Sequence, residues 1–514
     1  MECVTVNWRL LLLCLVLTAS AAPASAAWQE ARSRHFVIYS EQKPDELKAY
    51  AERLERFDQA VRVARGMKDP ALSESGKLSV FVLKNTDAIE AILGARGSGV
   101  AGFYIPRASG AVAFVHREKT SDKFDLSAET VFFHEYLHHL MLQQSDLALP
   151  SWLVEGFAEF FATARIEDDG SVTLGYVPEY RSRGLFNLRG LTMEEMLGAT
   201  DRNIDAQEWE LTYGRGWLLA HYLTFEKSRR NQLGRYIAGI QRGESAIGSA
   251  RAAFGDLKQL NRELDTYLRA KRHSGIGIPA SKLVVGPVAL RSLTAAENAI
   301  LPVRMKLAIG YKKRFMTRLL TDARGVASAF PNDGPALAAL ARAEFDSKHF
   351  ELALAAADRS LAASPTLRGA MIVNGRSLME LGKSTPKKAN WKEIRSWFTK
   401  ANRLDPDDAE PLMLFYESFG AEGVPATRNA VQGLTYAHGL VPQDSDLRML
   451  LVRQLITDAN FDGAQKVYGP IAYDPHAGKS RQDRMLVVAR LKAKDTKGAI
   501  ALLDQLATKE EKDE

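Results

Sequence analysis

Val131–Met141 reads VFFHEYLHHLM, and shortly after it Ser151–Phe161 reads SWLVEGFAEFF. In the first run His134 and His138 stand four residues apart. On a helix that spacing puts both imidazoles on one face, about one turn apart, where they can reach a single metal ion. Glu135 lies about 100° around the helix from His134, beside such a metal, where a carboxylate deprotonates a bound water. Phe132, Phe133, Leu137 and Leu140 bury the rest of the helix. The His-Glu-x-x-His pattern fits the zinc-protease signature. With 10 histidines in 514 residues, a random chain shows it on the order of once in a hundred tries, so the pattern needs a third ligand.

The second run supplies one. After Pro150, Ser151 is expected to cap a new helix, on which Glu155 and Glu159 share a face. Two carboxylates on a helix rich in Trp, Phe and Leu are costly to bury unpaired, and a zinc ion with a ligand histidine compensates them. Glu155 is therefore read as the third zinc ligand. Glu159, one turn on, is expected to accept a hydrogen bond from the free ring nitrogen of His134, which sets the tautomer and raises ligand basicity. The alternative is a pair of glutamates on a solvated helix edge.

HEYLH followed by WLVEGFAEFF resembles the gluzincin metallopeptidases, the thermolysin and aminopeptidase N type. In that group the first Glu of an N-E-x-x-x-D or N-E-G-F-A element completes a His-His-Glu zinc site. Val154 stands where those families often have Asn, and sixteen residues separate His138 from Glu155, slightly fewer than in the aminopeptidases. The likeness is strong over about 128–164 and weak over 165–272. The layout is similar to that of bacterial exported gluzincin-like domains carrying tetratricopeptide repeats. At Leu211–Leu223 (LTYGRGWLLAHYL) the aminopeptidases have a similar Tyr-x-x-Gly start to a helix, whose tyrosine donates to the tetrahedral oxyanion; the match falls on Tyr213. A preorganised phenol there is worth about 2–4 kcal/mol in the transition state. The alternative is an aromatic packing at a helix start.

The resemblance implies an enzyme with a definite chemistry. His134, His138 and Glu155 hold Zn²⁺ with an open fourth position. The metal lowers the pKa of its water toward ~7 and polarises the scissile carbonyl. Glu135 takes the proton and later delivers it to the leaving amine, while Tyr213 steadies the oxyanion. Gluzincins align an extended substrate along a sheet-edge strand, and a hairpin at 101–115 precedes the metal helix here. Aminopeptidases of the group hold the free amine with a Gly-x-Met-Glu-Asn segment, whereas Gly99–Tyr104 (GVAGFY) contains no acidic residue; cleavage is expected to be internal. His139 points about 100° away from His138, toward solvent or a loop. His116 and His221 read as structural histidines.

Working outward, residues 28–125 alternate strands and helices. HFVIYS (35–40) and KLSVFVLK (77–84) are β-rich, and Leu47, Ala51, Leu54, Phe57 and Val61 recur at helical spacing between them. Ala101–Ile105 and Ala111–Val115 flank a five-residue loop. From about 127 to 272 the pattern is helical. Glycines and prolines over Gly275–Pro287, with a short Leu283–Val285 strand, read as a linker at 274–294. At the N-terminus Arg9 closes a short n-region, Leu10–Thr18 is apolar, and Ala24-Ser25-Ala26 is a small-residue cleavage site. Residues 1–26 thus read as a signal peptide and the mature protein as exported, periplasmic or secreted. Cys3 and Cys14 are the 2 cysteines, so cleavage leaves no thiol for disulfides, metal or catalysis. No later run approaches ~18 apolar residues.

Beyond 295, prolines at 331, 365, 406, 442 and 475 recur at spacings of 34, 41, 36 and 33, close to the tetratricopeptide period of about 34. The long interval contains the insertion-like run Lys383–Lys388. The unit Gly334–Pro365 places Leu337, Leu340, Ala341, Phe345, Phe350, Ala353, Ala357 and Leu361 where such a repeat packs them. This half resembles tetratricopeptide repeats; a helical array without repeat identity is the alternative, and either is a solenoid whose concave face binds peptides or proteins. The 514 residues have net charge +6, with 46% apolar and 25% charged residues. That is a folded multidomain chain whose mild charge gives no argument for a nucleic-acid partner.

The expected architecture is α+β. A metallopeptidase-like domain (27–273) has a small mixed sheet and then a helical half; after the linker comes an all-α repeat array (295–514). The expected activity is a zinc-dependent endopeptidase acting on a peptide or protein substrate, with a protein partner on the repeats. Two further readings stay open: a cell-envelope scaffold with a relic zinc domain, and a zinc hydrolase of non-peptide amides.

Overall fold

The computed structural model describes residues 27–118, 122, 124–143, 149–187, 191–198, 206–310, 313–474 and 480–513. The expected leader, 1–26, and Pro475 lie outside the described residues. In chain order the first part contains β1 (Gln29–Arg32), β2 (Phe36–Ser40), α1 (Pro44–Arg65), β3 (Leu78–Leu83), α2 (Thr86–Leu93), β4 (Gly102–Ile105), β5 (Val112–His116), α3 (Ala128–Gln143) and α4 (Ser151–Ala162). It continues through β6 (Arg165–Ile166), β7 (Val172–Leu174), α5 (Met193–Leu197), α6 (Ala206–Phe225), α7 (Gln232–Gln241), α8 (Ala246–Phe254), α9 (Leu257–Leu268), β8 (Ile276–Ile278) and β9 (Ala289–Ser292).

The two β-rich runs become β2 and β3, which pair in parallel, and β3 pairs in parallel with β5. The hairpin forms as β4 and β5, with Phe103 opposite Phe114 and Tyr104 opposite Ala113. The six-stranded sheet runs β4-β5-β3-β2-β1-β9, which leaves β4 at one edge. On one face Phe36, Ile38, Val80 and Val82 meet Leu54 and Phe57 of α1 and Phe132, Phe133 and Tyr136 of α3 in a core that continues to Trp152 and Trp217. Phe57 and Phe133 stack at 3.8 Å between ring centroids, which fixes α3 against α1.

The segment expected as a linker, 274–294, is instead built into both sheets. Ile276–Ile278 completes a small sheet with β6 and β7, and Ala289–Ser292 pairs antiparallel with β1. Leu283–Val285 is not a strand. The glycines and prolines punctuate the segment, but Ile278 and Leu283 are buried in the core, and that burial holds it down. The repeats then start directly at Thr294, whose side chain and Glu297 form a capping box for helix Ala295–Ile309. Leu301 and Met305 of this helix pack with Ile89 of α2 on the second face of the sheet, against Tyr39, Phe81 and Phe114. The two parts therefore share a core.

From Ala295–Ile309 to Thr496–Asp513 the described chain is helical and repeat-like, most helices packing on the next. Helices Ala295–Ile309, Gly334–Asp346, Arg368–Lys383 and Ala409–Glu422, the first members of successive pairs, also stack on one another, as in a tetratricopeptide-like solenoid. Leu337, Leu340, Ala341, Phe345, Ala353 and Ala357 of the clearest unit are buried. No helix among the described residues is long and apolar enough to cross a membrane.

Behind α3 lies a buried ionic cluster. His35 places Nδ1 2.7 Å from Glu55 and Nε2 2.9 Å from Asp69. Asp58 accepts from Arg62 at 2.8 Å and from the Tyr136 hydroxyl at 2.8 Å. His35, Glu55 and Asp58 have the donor types of a metal site and lie close enough for one. The Arg62 guanidinium and the tyrosine already satisfy Asp58, however, so the cluster reads as an ion network bracing β2, α1 and α3. Burial works against charge on His35, but Glu55, Asp58 and Asp69 outweigh it and raise its pKa above the ordinary 6.5. Burial likewise opposes charge on Glu55 and Asp69, yet His35 takes part in holding both below their ordinary 4.5 and 3.8.

The sign of the linkage follows. The His35 contribution is complete below pH 6.5 and is lost as pH rises through its raised value. The carboxylate contributions are complete above pH 4.5 and are lost as pH falls through their lowered values. Thermal unfolding should show a plateau between about pH 5 and 6.5, declining on both sides. His35→Ala should lower stability by about 3–5 kcal/mol, because it strands buried carboxylates, and should flatten the alkaline slope, leaving in the metal-free protein the part that belongs to His134, itself raised to about 9. An unchanged alkaline slope would show that His35 does not titrate on unfolding.

Candidate metal centre

His134 and His138 project from α3 and Glu155 from α4, and their donor atoms converge. The two Nε2 atoms are 3.1 Å apart, His134 Nε2 is 3.2 Å from Glu155 Oε2, and His138 Nε2 is 3.5 Å from the same oxygen. A tetrahedral zinc with bonds of about 2.0–2.1 Å requires ligand atoms roughly 3.3–3.4 Å apart. Three donors of the right type thus form a triangle of the right size. The group fits zinc on its own geometry.

The surroundings favour a cation at this point. Glu155 and Glu159 are both fully buried, at 0% exposure. Burial opposes charge on His134, but the nearby Glu155, Glu159 and Glu135 prevail and raise the imidazole to about 9. Glu135 is half-buried and, with His138, lines a cavity of about 1270 Å³.

Glu159 faces His134 as expected, but its Oε1 lies 3.5 Å from Nδ1, long for a direct hydrogen bond. Stronger donors draw the carboxylate away: the Tyr180 hydroxyl at 2.6 Å and Arg181 at 2.8 and 3.0 Å. Arg181 also bridges to Glu210 at 2.8 Å and lies over the Tyr213 ring at 4.4 Å. It offsets one of the three carboxylates around the metal position. Tyr180 and Arg181 sit on a single 3-10 turn, Glu179–Arg181, whose local sequence carries no periodic signal.

Tyr213 was expected at a helix start and is found well inside α6. Its position is set by packing. Gly156 of α4 and Gly216 of α6 meet backbone to backbone. A Cβ on Gly156 would overlap the Gly216 carbonyl, and one on Gly216 would lie 2.7 Å from the Trp152 oxygen. Tyr213, one turn before Gly216, thereby comes edge-on to His134 at 5.8 Å between centroids. Burial and then Glu155 push the phenol pKa up, outweighing Arg181, so it stays protonated and able to donate.

His139, His116 and His221 are held by local partners away from the triangle. His139 does not face solvent: it is buried, with Nδ1 2.7 Å from the Tyr104 hydroxyl and Nε2 2.9 Å from the Gln143 amide. Burial, with Arg62 and His35 nearby, lowers its pKa to about 3. The hairpin and the repeats cover it, Gln443 approaching Nδ1 at 3.4 Å. His116 accepts from the Glu118 amide at 3.2 Å. His221, fully buried, lies between the Tyr267 hydroxyl at 2.8 Å and the Ser274 carbonyl at 2.9 Å.

No protein-family model and no curated protein sequence matches the chain. Among solved structures it is similar to a thermophilic TPR protein of Thermus thermophilus, at 19% identity and a TM-score of 0.32, over 39% of this chain and 100% of that one. A likeness of that size adds nothing to the fold already described.

Two measurements follow from the geometry. Purified protein should carry about one zinc per chain by elemental analysis, with the metal lost in His138→Ala and in Glu155→Ala; retention in both would break the ligand assignment. Gly156→Ala should lower stability by about 1–3 kcal/mol through overpacking against backbone. It should also weaken zinc binding at least tenfold, since Glu155 is the adjacent residue. Wild-type stability and zinc affinity in that variant would show that the two helices can separate freely.

Proposed function

We propose that this chain is an exported zinc-dependent peptidase that cleaves within polypeptides. The observation that carries the reading is the triangle of His134, His138 and Glu155 opening, beside Glu135, into a cavity. The composition of residues 1–26 supports export, and the acid-free segment Gly99–Tyr104 supports internal cleavage. Zinc held by the three ligands would supply Lewis acidity and an acidified water, titrating near pH 7.

The protein's own groups supply the rest. Glu135, one residue after a ligand and outside the triangle, accepts the proton of the attacking water and returns it to the departing amine. Tyr213, kept neutral by burial, donates to the oxyanion of the tetrahedral carbon. Glu159, held by Tyr180 and Arg181, keeps a fixed negative charge behind His134, 3.5 Å from its Nδ1. The repeats and their protein partner belong to the same proposal, since concave solenoid faces bind polypeptide.

Glu135→Gln should keep one zinc and lose hydrolysis of an amine-blocked peptide by about 10²–10⁴-fold. Tyr213→Phe should keep zinc and lose about 10²–10³-fold in kcat. No hydrolysis by the wild-type chain, with phenotypes unchanged in Glu135→Gln, would favour the scaffold reading. Turnover confined to substrates with a free amine would make the enzyme an aminopeptidase.

A further inference from the structure

The cavity at the metal centre has two walls from distant parts of the chain. One is the metallopeptidase-like part: Tyr104 and Ile105 of the edge strand β4, Glu135, His138 and Met141 of α3, and Val154 of α4. The other comes from the repeats, through Arg342, Arg376, Met413, Gln443 and Met449. These repeat residues lie on or just before the first helices of successive pairs, the ones that stack into one face.

Contacts at three places along that face hold it over the site. At one end, helix Ala295–Ile309 shares the core of the sheet. In the middle, the Ser75 amide and hydroxyl donate to Asp405 at 3.2 and 2.9 Å. Further along, the hairpin loop reaches into the repeats. The Ala108 amide donates to Asp444 at 2.5 Å, and the Ala108 side chain is buried in the repeat core among Ala409, Leu434 and Leu447. Asp444 is also the N-cap of helix Ser445–Thr457, accepting from Leu447 at 2.8 Å. A three-point attachment of this kind leaves the repeats little freedom to swing away.

We infer that the repeats are a fixed wall of the active-site chamber, and that the site takes an extended segment of unfolded polypeptide, gripped between β4 and the first helices of the repeats. This rests on the peptidase reading and names its substrate class. A folded domain is far larger than 1270 Å³ and cannot enter between two anchored walls, whereas a single strand can. β4 is an edge strand, so an extended chain can add to it through main-chain hydrogen bonds, which are indifferent to sequence. Met141, Met413 and Met449 line both walls; flexible, polarisable methionines accommodate varied apolar side chains. The chamber therefore selects first for chain conformation, while Arg342, Arg376, Glu410 and Glu417 on the repeat wall give it a charged side.

The test uses the full chain loaded with zinc and a ten-residue, amine-blocked, fluorescein-labelled peptide of mixed apolar sequence. Binding is read by anisotropy on Glu135→Gln and cleavage on the otherwise wild-type chain. The same ten residues are also presented in a surface loop of a stably folded carrier domain. The free peptide should be cleaved at least fiftyfold faster than the loop. Met449→Trp and Met413→Trp, which narrow the repeat wall, should raise KM and Kd at least fivefold while leaving kcat and zinc content within twofold. Should either tryptophan variant fold poorly, Met449→Gln, of similar volume, should raise KM in the same direction. Equal cleavage of loop and free peptide, or KM and Kd unmoved by every wall variant, would overturn the chamber assignment. Peptide binding that responds to the wall variants without any hydrolysis would instead sink only the peptidase reading.

Discussion

The site depends on a contact with no side chains in it. At Gly156 and Gly216 the backbones of α4 and α6 touch, and neither residue can carry a Cβ without displacing a carbonyl or moving a helix. Glu155 precedes the first glycine and Tyr213 lies a turn before the second, so the same contact places the proposed ligand and the proposed oxyanion donor against α3. Chemistry of this kind tolerates little error, a misplacement of about 1 Å costing about 10²-fold. Glycine at this crossing costs about 1 kcal/mol in helix propensity at each position. It provides an approach that no larger residue allows.

Charge is the second constraint. Three carboxylates, Glu135, Glu155 and Glu159, gather around two imidazoles, and Glu155 and Glu159 have no solvent to screen them. Arg181 answers Glu159 from one side, and zinc would answer Glu155 from the other. The back of α3 is polar as well, with Tyr136 on Asp58 and His139 on Tyr104. The helix is thus buried on most of its circumference while satisfying polar groups in three directions. It is held by specific hydrogen bonds as much as by apolar area, which suits an element whose side chains must stay fixed.

This explains which parts of the site the sequence discloses. His134, His138, Glu155 and Glu159 are legible because helical spacing converts a linear pattern into a shared face without reference to the rest of the chain. The β2, β3 and hairpin runs are legible for the same local reason. Tyr180 and Arg181 are not, because a single 3-10 turn has no period. The burial of His139 depends on Tyr104, 35 residues before it, and on Gln443, 304 residues after it, and helical spacing records neither. The 274–294 segment shows the converse error. Its glycines and prolines describe how the backbone bends, whereas its fate is decided by β1 offering a free edge and by a core that accepts Ile278 and Leu283.

The anchoring of the repeats changes what a solenoid does here. In a free array each repeat answers only to its neighbours, stability is nearly a sum of local terms, and the concave face is open to a partner. In this chain the first helix is part of the sheet's core and a later turn is pinned to the hairpin, so curvature is set by the domain that it spans. Disturbing a repeat between those points changes the distance between them, and hence the shape of the space over Glu135 and His138. On the proposed reading, a polypeptide held in that space would touch both walls and stabilise their contact by mass action, in proportion to its occupancy. The N-terminal part and the repeats would then be coupled through the polypeptide between them, and the stability of each would include a term that belongs to the other.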